Sequence, residues 1–196
     1  MATMSNDEFV QELERYRHDF YRYIHRNVWN ASAAEDVFSN AVMSAFENLH
    51  KFEAGTNFRA WMYQILTNKC FVANREIQRS NINVDTIDES QFEIESKSEG
   101  QAFDDPKWFM EQIDDQVYSV LQQLSTNQRS CLLLLTLGRF SYKEIAAIMD
   151  IPLGTVVTHL ARGRARLRRL LMKYATDKGI LKSRPDVAQT QKSKAG

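Results

Sequence analysis

Residues 140–171, FSYKEIAAIMDIPLGTVVTHLARGRARLRRLL, have the pattern of two helices joined by a tight turn. Ser141 and Glu144 have capping-box spacing, in which hydroxyl and carboxylate each satisfy a free backbone N–H, so the first helix is expected to begin there. Residues 150–154 interrupt the pattern, and Thr155 is expected to cap the second helix. Two helices joined in this way predict a helix-turn-helix, a shape that fits the major groove of DNA.

The second of these helices has one apolar and one cationic face. The apolar residues recur at spacings of three and four and predict the buried face: Val156, Leu160, Gly163, Leu167, Leu170 and Leu171. The opposite face is almost purely cationic, which favours phosphate as its counterpart. For this stretch alone, a solvated or membrane-surface helix is the alternative. The capped helix and the turn that precede it argue against that alternative.

DNA-contact candidates on this unit fall into two groups. Those near the start of the second helix are candidates for base edges: Val157, Thr158, His159 and Arg162. The others are candidates for phosphate contacts or lie beside the base-edge group: Lys143, Thr155, Arg164, Arg166, Arg168 and Arg169.

The chain has 196 residues, 43% of them apolar, which suffices for one large or two small domains. Its formal net charge is zero, but the charges are segregated. Residues 1–80 carry nine basic and ten acidic side chains, and residues 81–112 carry two and nine. Residues 113–172 carry eight basic and four acidic side chains, and residues 173–196 carry six and two. An acidic strap therefore joins two units, and a basic second unit points to nucleic acid.

Several functional classes find no support in the sequence. No apolar run reaches the roughly 18 residues of a membrane span, so we expect a cytoplasmic protein with no membrane insertion. Cys70 and Cys131 lie in apolar stretches without metal-binding spacing, which favours reduced core thiols. The four histidines are scattered, and neither HExxH nor a phosphate-binding glycine loop occurs. We therefore predict no enzyme, no metal site and no cofactor.

Residues 58–80, FRAWMYQILTNKCFVANREIQRS, predict a helix that follows a loop, with Asn57 as its N-cap. Its apolar positions can build a core, and six others are expected to lie outside: Arg59, Tyr63, Asn68, Lys69, Arg75 and Arg79. Aromatic and basic groups interleaved in this way suit single-stranded DNA, because an unstacked base gains roughly 1 to 3 kcal/mol on an aromatic ring. From this helix alone, ordinary core and boundary aromatics remain the alternative.

Ser32 with Glu35 predicts the start of another helix, which continues to Leu49. One side of it is apolar, and its solvent side is weakly charged: Asp36, Ser39, Asn40, Met43 and Glu47. An exposed methionine on such a face indicates either chance or a partner surface.

Two stretches resemble a known family. SYKEIAAIMDIPLGTVVTHLARGRARL resembles region 4 of bacterial sigma factors. AEDVFSNAVMSAFENLHKF followed by NFRAWMYQILTNKC is similar to region 2 of their extracytoplasmic function (ECF) class, in which only regions 2 and 4 remain. Both blocks occur in the family's order and together cover about residues 9–80 and 113–172.

The resemblance implies specific roles. The helix over residues 34–49 would dock on the clamp helices of the largest subunit of core RNA polymerase, through Asp36, Ser39, Asn40, Met43 and Glu47. The region 4 unit would bind the minus-35 duplex of promoter DNA. The loop and helix over residues 50–79 would hold the melted minus-10 strand, with candidates His50, Lys51, Phe52, Asn57, Arg59, Trp61, Tyr63, Asn68, Lys69, Arg75 and Arg79. The family commonly uses an anti-sigma factor, which would mask residues 34–49 or wedge between the domains.

The sequence departs from the family pattern at several positions. Asp150 stands where the turn commonly has glycine, and a left-handed backbone there would cost up to about 1 to 2 kcal/mol. Val157 and His159 stand where Lys or Arg is common, so base preference cannot be copied from relatives. Ser39 and Asn40 replace the common Gln-Glu pair, which alters the polar contact expected at the docking helix.

The predicted fold is all-α, with two small helical domains, residues 5–80 and 113–172, the second containing the helix-turn-helix. Residues 81–112 are expected to form an acidic flexible linker, and residues 173–196 a basic, disordered tail. The linker is either a plain spacer or, by the resemblance, a segment that threads the polymerase cleft. The predicted function is that of a promoter-specificity subunit. A free-standing helix-turn-helix regulator is the rival, and a nucleic-acid-processing enzyme has no residue cluster to support it.

Overall fold

The computed structural model describes residues 4–53, 55–80 and 115–177. Regular structure within these ranges is helical, which confirms the all-α prediction. The α-helices are α1 (Asn6–Asn27), α2 (Ala34–Glu47), α3 (Phe58–Ser80), α4 (Asp115–Leu121), α5 (Thr126–Thr136), α6 (Tyr142–Met149) and α7 (Leu153–Asp177). Short 3-10 turns at Ala31–Ala33 and Leu49–Lys51 flank α2.

Two of the predicted segments lie wholly or mostly outside the described residues. The linker over residues 81–112 is one of them, and residues 178–196 of the tail are the other. The expectation of a disordered tail from residue 173 is wrong at its start, because α7 continues to Asp177.

The N-terminal domain consists of α1, α2 and α3 around an aromatic core. The α1 helix begins at the capping box of Ser5 and Glu8, in which the Ser5 N–H donates to Glu8 Oε2 at 2.7 Å and the Glu8 N–H to Ser5 Oγ at 3.2 Å. Phe9 meets Phe58 edge to face, with ring centroids 5.8 Å apart. Such geometry brings the positive edge of one ring to the negative face of the next.

The predicted start of α2 is wrong. Ser32 is not its N-cap, because the side chain of Asn30 accepts the Ser32 N–H at 3.0 Å and caps a 3-10 turn instead. The α2 helix then begins at Ala34, after Ala33, without a side-chain cap. An Asn side chain that bonds the backbone two residues on competes with a longer helix at this point.

The C-terminal domain consists of α4 to α7, with α5 as the central buried helix. Cys131, Leu133 and Leu134 of α5 are fully buried. The two cysteines occupy core positions, as expected: Cys131 Sγ lies 3.3 Å from Met149 Sδ, and Cys70 is buried in α3.

The two domains pack against each other along a polar seam between α1 and the α4–α5 segment. Asn27 Nδ2 donates to Ser130 Oγ at 3.0 Å. The carbonyl of Val28 accepts from Tyr118 Oη at 3.2 Å and from Gln122 Nε2 at 2.8 Å. These bonds join residues about one hundred positions apart in the chain. They therefore hold the two domains together and do not stabilise individual helices.

A buried cation lies in this seam. The Arg129 side chain has no exposed surface, donates to Gln122 Oε1 at 2.6 Å and lies 5.7 Å from the centroid of a Trp29 ring. Burial lowers the pKa of Arg129 to about 10. Within the described residues, its Nε and one Nη have no hydrogen-bond partner.

Candidate nucleic-acid interface

Helices α6 and α7 form the predicted helix-turn-helix. Their axes are bent by 105° relative to each other, within the range for this motif. The capping box predicted at the start of α6 is present: the Ser141 N–H donates to Glu144 Oε2 at 2.8 Å, and the Glu144 N–H to Ser141 Oγ at 3.4 Å. The Ser141 hydroxyl also donates to Glu144 Oε2 at 2.7 Å, and this bond, followed by the one from the Ser141 N–H, lowers the pKa of Glu144.

The turn between α6 and α7 depends on Asp150. Its φ is +52° and its ψ is +48°. It therefore has the left-handed backbone conformation whose energetic cost was considered above for this position. The Ile151 N–H donates to the Ala146 carbonyl at 3.1 Å, which closes the end of α6. Asp serves here in place of glycine because its short polar side chain tolerates this conformation.

The predicted start of α7 is wrong by three residues, because a cap at Thr155 would place the first helical residue at Val156. The helix begins at Leu153, and the carbonyl of Pro152 accepts the N–H groups of Thr155 at 2.9 Å and Val156 at 3.2 Å. Proline has no N–H to leave unsatisfied and its φ is already suitable for a helix start, so the chain becomes helical directly after it. Thr155 therefore lies in the first turn and is not the cap.

Helix α7 has the two faces predicted for it. Val156, Leu160 and Leu167 are buried, and Leu170 and Leu171 are half-buried. Among the predicted DNA contacts, Lys143, Val157 and Arg169 are exposed, and Thr155, Thr158, His159, Arg162, Arg164 and Arg166 are half-buried. The single acidic residue of α7 is Asp177 at its end. The outer face thus presents positive charge from Arg162 onward.

Two of the predicted contacts also bond within the motif. Arg164 donates to Tyr142 Oη at 2.9 Å and so ties α7 to the first residue of α6. Thr158 donates its hydroxyl to the Gly154 carbonyl at 2.9 Å. Arg164 therefore helps to hold the two helices together. The Thr158 hydroxyl proton already forms a hydrogen bond within α7.

The α3 surface agrees only partly with the prediction. Asn68, Arg75 and Arg79 are exposed and Lys69 is half-buried. Asn57 caps α3, as predicted, by accepting the Ala60 N–H at 3.1 Å. Trp61 is half-buried.

Phe52 and Tyr63 are buried, contrary to the expectation that they face DNA. Phe52 is 3% exposed, and its ring packs 5.0 Å from the Trp61 ring. Tyr63 has no exposed surface, with its ring 5.2 Å from Phe20 and 5.1 Å from Phe140. Burial also raises the pKa of Tyr63 to about 12. Phe140 of the C-terminal domain covers the Tyr63 side of α3, whereas Phe52 is buried against Phe58 and Trp61 of its own domain.

Arg59 is held by the same part of the C-terminal domain. Its guanidinium donates to the Gly138 carbonyl at 2.6 Å and lies 4.8 Å from the centroid of the Phe140 ring. Tyr63 and Tyr16 lie on its other sides, at 5.5 Å and 5.8 Å. A predicted minus-10 contact is therefore engaged by the other domain in this arrangement.

The loop before α3 lines an open cavity of about 400 Å³. Glu8, Glu12 and Tyr16 of α1 form one side of it. The remaining lining comes from Met4, Gln11, Phe52, Gly55, Thr56, Asn57, Phe58 and Arg59. Of the predicted loop contacts, His50, Lys51 and Asn57 are exposed.

The predicted docking residues share one exposed face of α2. Asp36, Ser39, Asn40 and Glu47 are exposed, and Met43 is 60% exposed. The structure thus brings these five residues together on one surface.

Beside this face runs an apolar groove that the sequence did not predict. It encloses about 660 Å³ between α1 and α2. Its walls include Val10, Tyr21 and Phe46, which are 53%, 40% and 44% exposed. Phe46 belongs to the apolar side of α2 by its spacing, yet it is not buried. The apolar Val10 and Tyr21, eleven residues apart on α1 and exposed outside the core, are the signal that could have revealed the second apolar face.

The described ranges contain no candidate metal site and no single membrane-spanning helix. No group of three or more His, Cys, Asp or Glu side chains there could hold a metal ion. Among the same residues no single helix is long and apolar enough to cross a membrane. The bent pair Tyr142–Met149 and Leu153–Lys173 reaches that length and composition jointly, and it is the helix-turn-helix itself.

Comparison with known families identifies both domains. The family described as Sigma-70 region 2 matches residues 13–79. The family described as Sigma-70, region 4 matches residues 114–167. The two matches lie on either side of the acidic segment.

Full-length relatives agree. The chain is 28% identical over 159 residues to the RNA polymerase sigma-H factor of Pseudomonas aeruginosa, covering 80% of this chain and 82% of that protein. It is 26% identical over 168 residues to the ECF RNA polymerase sigma factor SigW of Bacillus subtilis, covering 84% and 89%. It is 28% identical over 152 residues to the ECF RNA polymerase sigma-E factor of Escherichia coli, covering 76% and 79%.

Solved structures share the fold. The sigma factor RpoE of Bartonella quintana, in complex with the anti-sigma factor NepR, has a TM-score of 0.64 and 27% identity and covers 84% of this chain and 97% of that one. CnrH in complex with the cytosolic domain of CnrY has a TM-score of 0.60 at 20% identity, covering 86% and 90%, and supports the fold alone. Fold and surface together define a two-domain helix-turn-helix protein. The chain belongs to the sigma-70 family, in its ECF class, and is a sigma factor.

Proposed function

We propose that this sigma factor binds core RNA polymerase through the α1–α2 surface and directs it to promoters, acting in the cytoplasm with that enzyme. In this proposal α7 enters the minus-35 duplex, and α3 with its preceding loop holds the melted minus-10 strand. The observation that carries the proposal is that one chain has a cationic recognition helix on one domain and an exposed apolar groove on the other.

The minus-35 part is supported by the surface of α7. The first residues of a recognition helix face base edges, and cations further along neutralise phosphates. Val157 is exposed at the start of α7, and Arg169 is exposed three turns later. Lys143, exposed on α6, adds a cation beside the turn.

The minus-10 part is supported by the exposed half of the α3 stripe and by the loop cavity. Asn68, Arg75 and Arg79 form a polar and basic row at helical spacing. The cavity of about 400 Å³ has the size for an unstacked base, and carboxylates such as Glu8 and Glu12 could accept from exocyclic amino groups. Arg59 and Tyr63 are covered by the C-terminal domain, so their part in strand binding requires the domains to separate.

The docking part is supported by the groove on α1 and α2. An apolar groove rimmed by charges suits an amphipathic helix or a pair of helices. We propose the clamp helices of the polymerase's largest subunit as its occupant. An anti-sigma factor would compete for this groove or hold the two domains together. RpoE of Bartonella quintana, 27% identical and similarly folded, was solved with such a partner.

The test is transcription from a genomic fragment library by core polymerase, with and without the purified chain. Start-site-specific transcripts that need both components would support the proposal and supply the promoter motif. Failure to form a complex or a transcript, while the chain alone shifts duplex DNA, would favour the rival free-standing regulator.

Docking is tested separately by measuring core polymerase binding without DNA. Met43→Glu places a charge in the groove region and is expected to weaken binding at least tenfold, because an apolar contact is replaced by a desolvated carboxylate. Val72→Glu is the matched control, since Val72 is 54% exposed on α3, away from α2. Equal losses in both variants would mean that α2 is not the docking surface.

A further inference from the structure

The C-terminal domain exposes an unusual pair of apolar side chains at the start of its recognition helix. Leu153 is 44% exposed and Val157 is 47% exposed. They lie four residues apart, and side chains at this spacing are neighbours on one side of a helix. Within the described part of this domain, the other large apolar side chain with comparable exposure is Met172, five turns further along α7.

The polar alternatives at this end of α7 are limited. Gly154 has no side chain, and the Thr158 hydroxyl donates to the Gly154 carbonyl at 2.9 Å. Val157 stands at a base-edge position and has no side-chain donor or acceptor. Thr155 and His159 are half-buried there, so the exposed side chains at the leading end of the helix are the apolar Leu153 and Val157, where a groove-reading helix commonly exposes hydrogen-bond donors.

Among the base edges in the major groove, only thymine presents a methyl group, and apolar side chains recognise it by contact. We propose that Leu153 and Val157 recognise thymine methyl groups in the minus-35 duplex, which makes them specificity-determining residues. This inference rests on the proposed function, because it assumes that α7 enters the major groove. Lys143 on α6 and Arg169, three turns beyond Val157 on α7, are exposed cations that suit phosphates, so DNA is a fitting partner for this domain.

The expected size of the effect follows from apolar transfer. Burying one methyl group changes binding about fourfold. Two such contacts would give about sixteenfold discrimination between thymine and a base without the methyl group. The discrimination would be weaker than a bidentate arginine contact provides, but it is confined to particular positions.

The experiment first selects a duplex from a random library with the full chain bound to core polymerase. Each thymine of the protected minus-35 segment is then replaced, one at a time, by deoxyuracil, which removes only the methyl group. One or two positions are expected to lose about fourfold in affinity. Val157→Ala or Leu153→Ala should make thymine and deoxyuracil equivalent at its own position. Both residues are exposed, and alanine favours a helix, so the variants should fold.

Arg169→Ala is the matched control, since loss of a phosphate contact should lower affinity for both duplexes equally. The inference is overturned if no position responds to deoxyuracil, if the response persists in both alanine variants, or if the selected segment contains no thymine. Failure of the library to yield any enriched duplex would overturn the proposed function as well. The experiment therefore distinguishes a failure of the thymine inference from a failure of the proposed function.

Discussion

Arg162 lies in the third turn of α7, with Nε buried and, within the described residues, without a hydrogen-bond partner. A guanidinium at such a position can pair with both acceptors of a guanine in the major groove. We therefore expect Arg162→Ala to cost about 1 to 3 kcal/mol on the selected duplex and to relax preference at one base pair. The measurement is the dissociation constant for the selected and the scrambled duplex. Equal losses on the two would reduce Arg162 to a general electrostatic contact.

The two cysteines give a second prediction at the residue scale. Burial raises the pKa of Cys70 and of Cys131 to about 12. At pH 8 the reactive thiolate would then be about one part in ten thousand, because the thiolate is the nucleophile. We expect neither thiol to react with a thiol reagent in the folded chain, and both to react in denaturant at the same pH. Rapid labelling of one native thiol would show that its helix face is open to solvent.

At the scale of elements, the capping box of α6 should contribute to the stability of the helix-turn-helix. Ser141→Ala removes the hydroxyl that accepts the Glu144 N–H, and we expect a loss of about 1 kcal/mol in the free energy of unfolding. Urea denaturation provides the measurement. Ser39→Ala, at an exposed position inside α2, is the control and should change stability by less than about 0.5 kcal/mol.

The pH dependence of that loss has a definite sign. The hydrogen bonds from Ser141 lower the pKa of Glu144 in the folded chain, so their contribution is fully present above the unfolded carboxyl value. It is lost as the pH falls through the lower folded value. The difference between wild type and Ser141→Ala should therefore be larger at pH 7 than at about pH 3. A difference that stays constant would mean that the carboxylate takes no part in the cap.

The ends of the helices were only partly predictable, because a residue close by in the sequence can take the place of a predicted capping residue. The capping box at Ser141 was predicted correctly, since no neighbouring side chain takes its place at the start of the helix. Ser32 failed because Asn30 reaches the same backbone first, and Thr155 failed because Pro152 already starts the helix. In both cases the sequence contains the competing residue, Asn30 or Pro152. Whether that residue or the predicted one starts the helix depends on the backbone geometry.

At the scale of the whole molecule, the docking of the two domains could not be predicted from sequence patterns. Charge segregation and helical periodicity indicated two helical units. The contact of Tyr63 with Phe140, and the bonds of Asn27 to Ser130, join residues far apart in the chain and belong to no periodic stripe. Such pairings depend on shape and on a few polar partners. The burial of Tyr63 at the candidate site could therefore not be predicted from the sequence.

This docking also determines which surfaces are available at once. The α2 face and the outer face of α7 stay exposed, whereas Arg59 and Tyr63 of α3 are covered. A closed chain could then engage polymerase first and present the covered part of α3 only after opening.

Gly138 allows a direct test of opening. A Cβ added there would lie 2.5 Å from the Leu134 carbonyl oxygen and 2.6 Å from Cδ2 of Phe140, so the Phe140 ring, which packs on Tyr63, and the local backbone would have to shift. We expect Gly138→Ala to separate the domains, with a larger radius of gyration by small-angle X-ray scattering and nearly unchanged helical circular dichroism. Uncovering Arg59 and Tyr63 should also tighten binding of a single-stranded oligonucleotide by the free chain, because an aromatic ring and a cation become available to it.

Gly154→Ala is the matched control for opening, because nothing lies within 4 Å of its added Cβ and it makes the same chemical change in the same domain. It should leave the radius of gyration and the single-strand affinity as in the wild type. If Gly138→Ala lowers stability but changes neither property, Phe140 adjusts without leaving Tyr63, and the closed arrangement does not limit strand binding. If both properties rise together, the contact of Gly138 and Phe140 with α3 is what keeps the minus-10 surface covered before polymerase is bound.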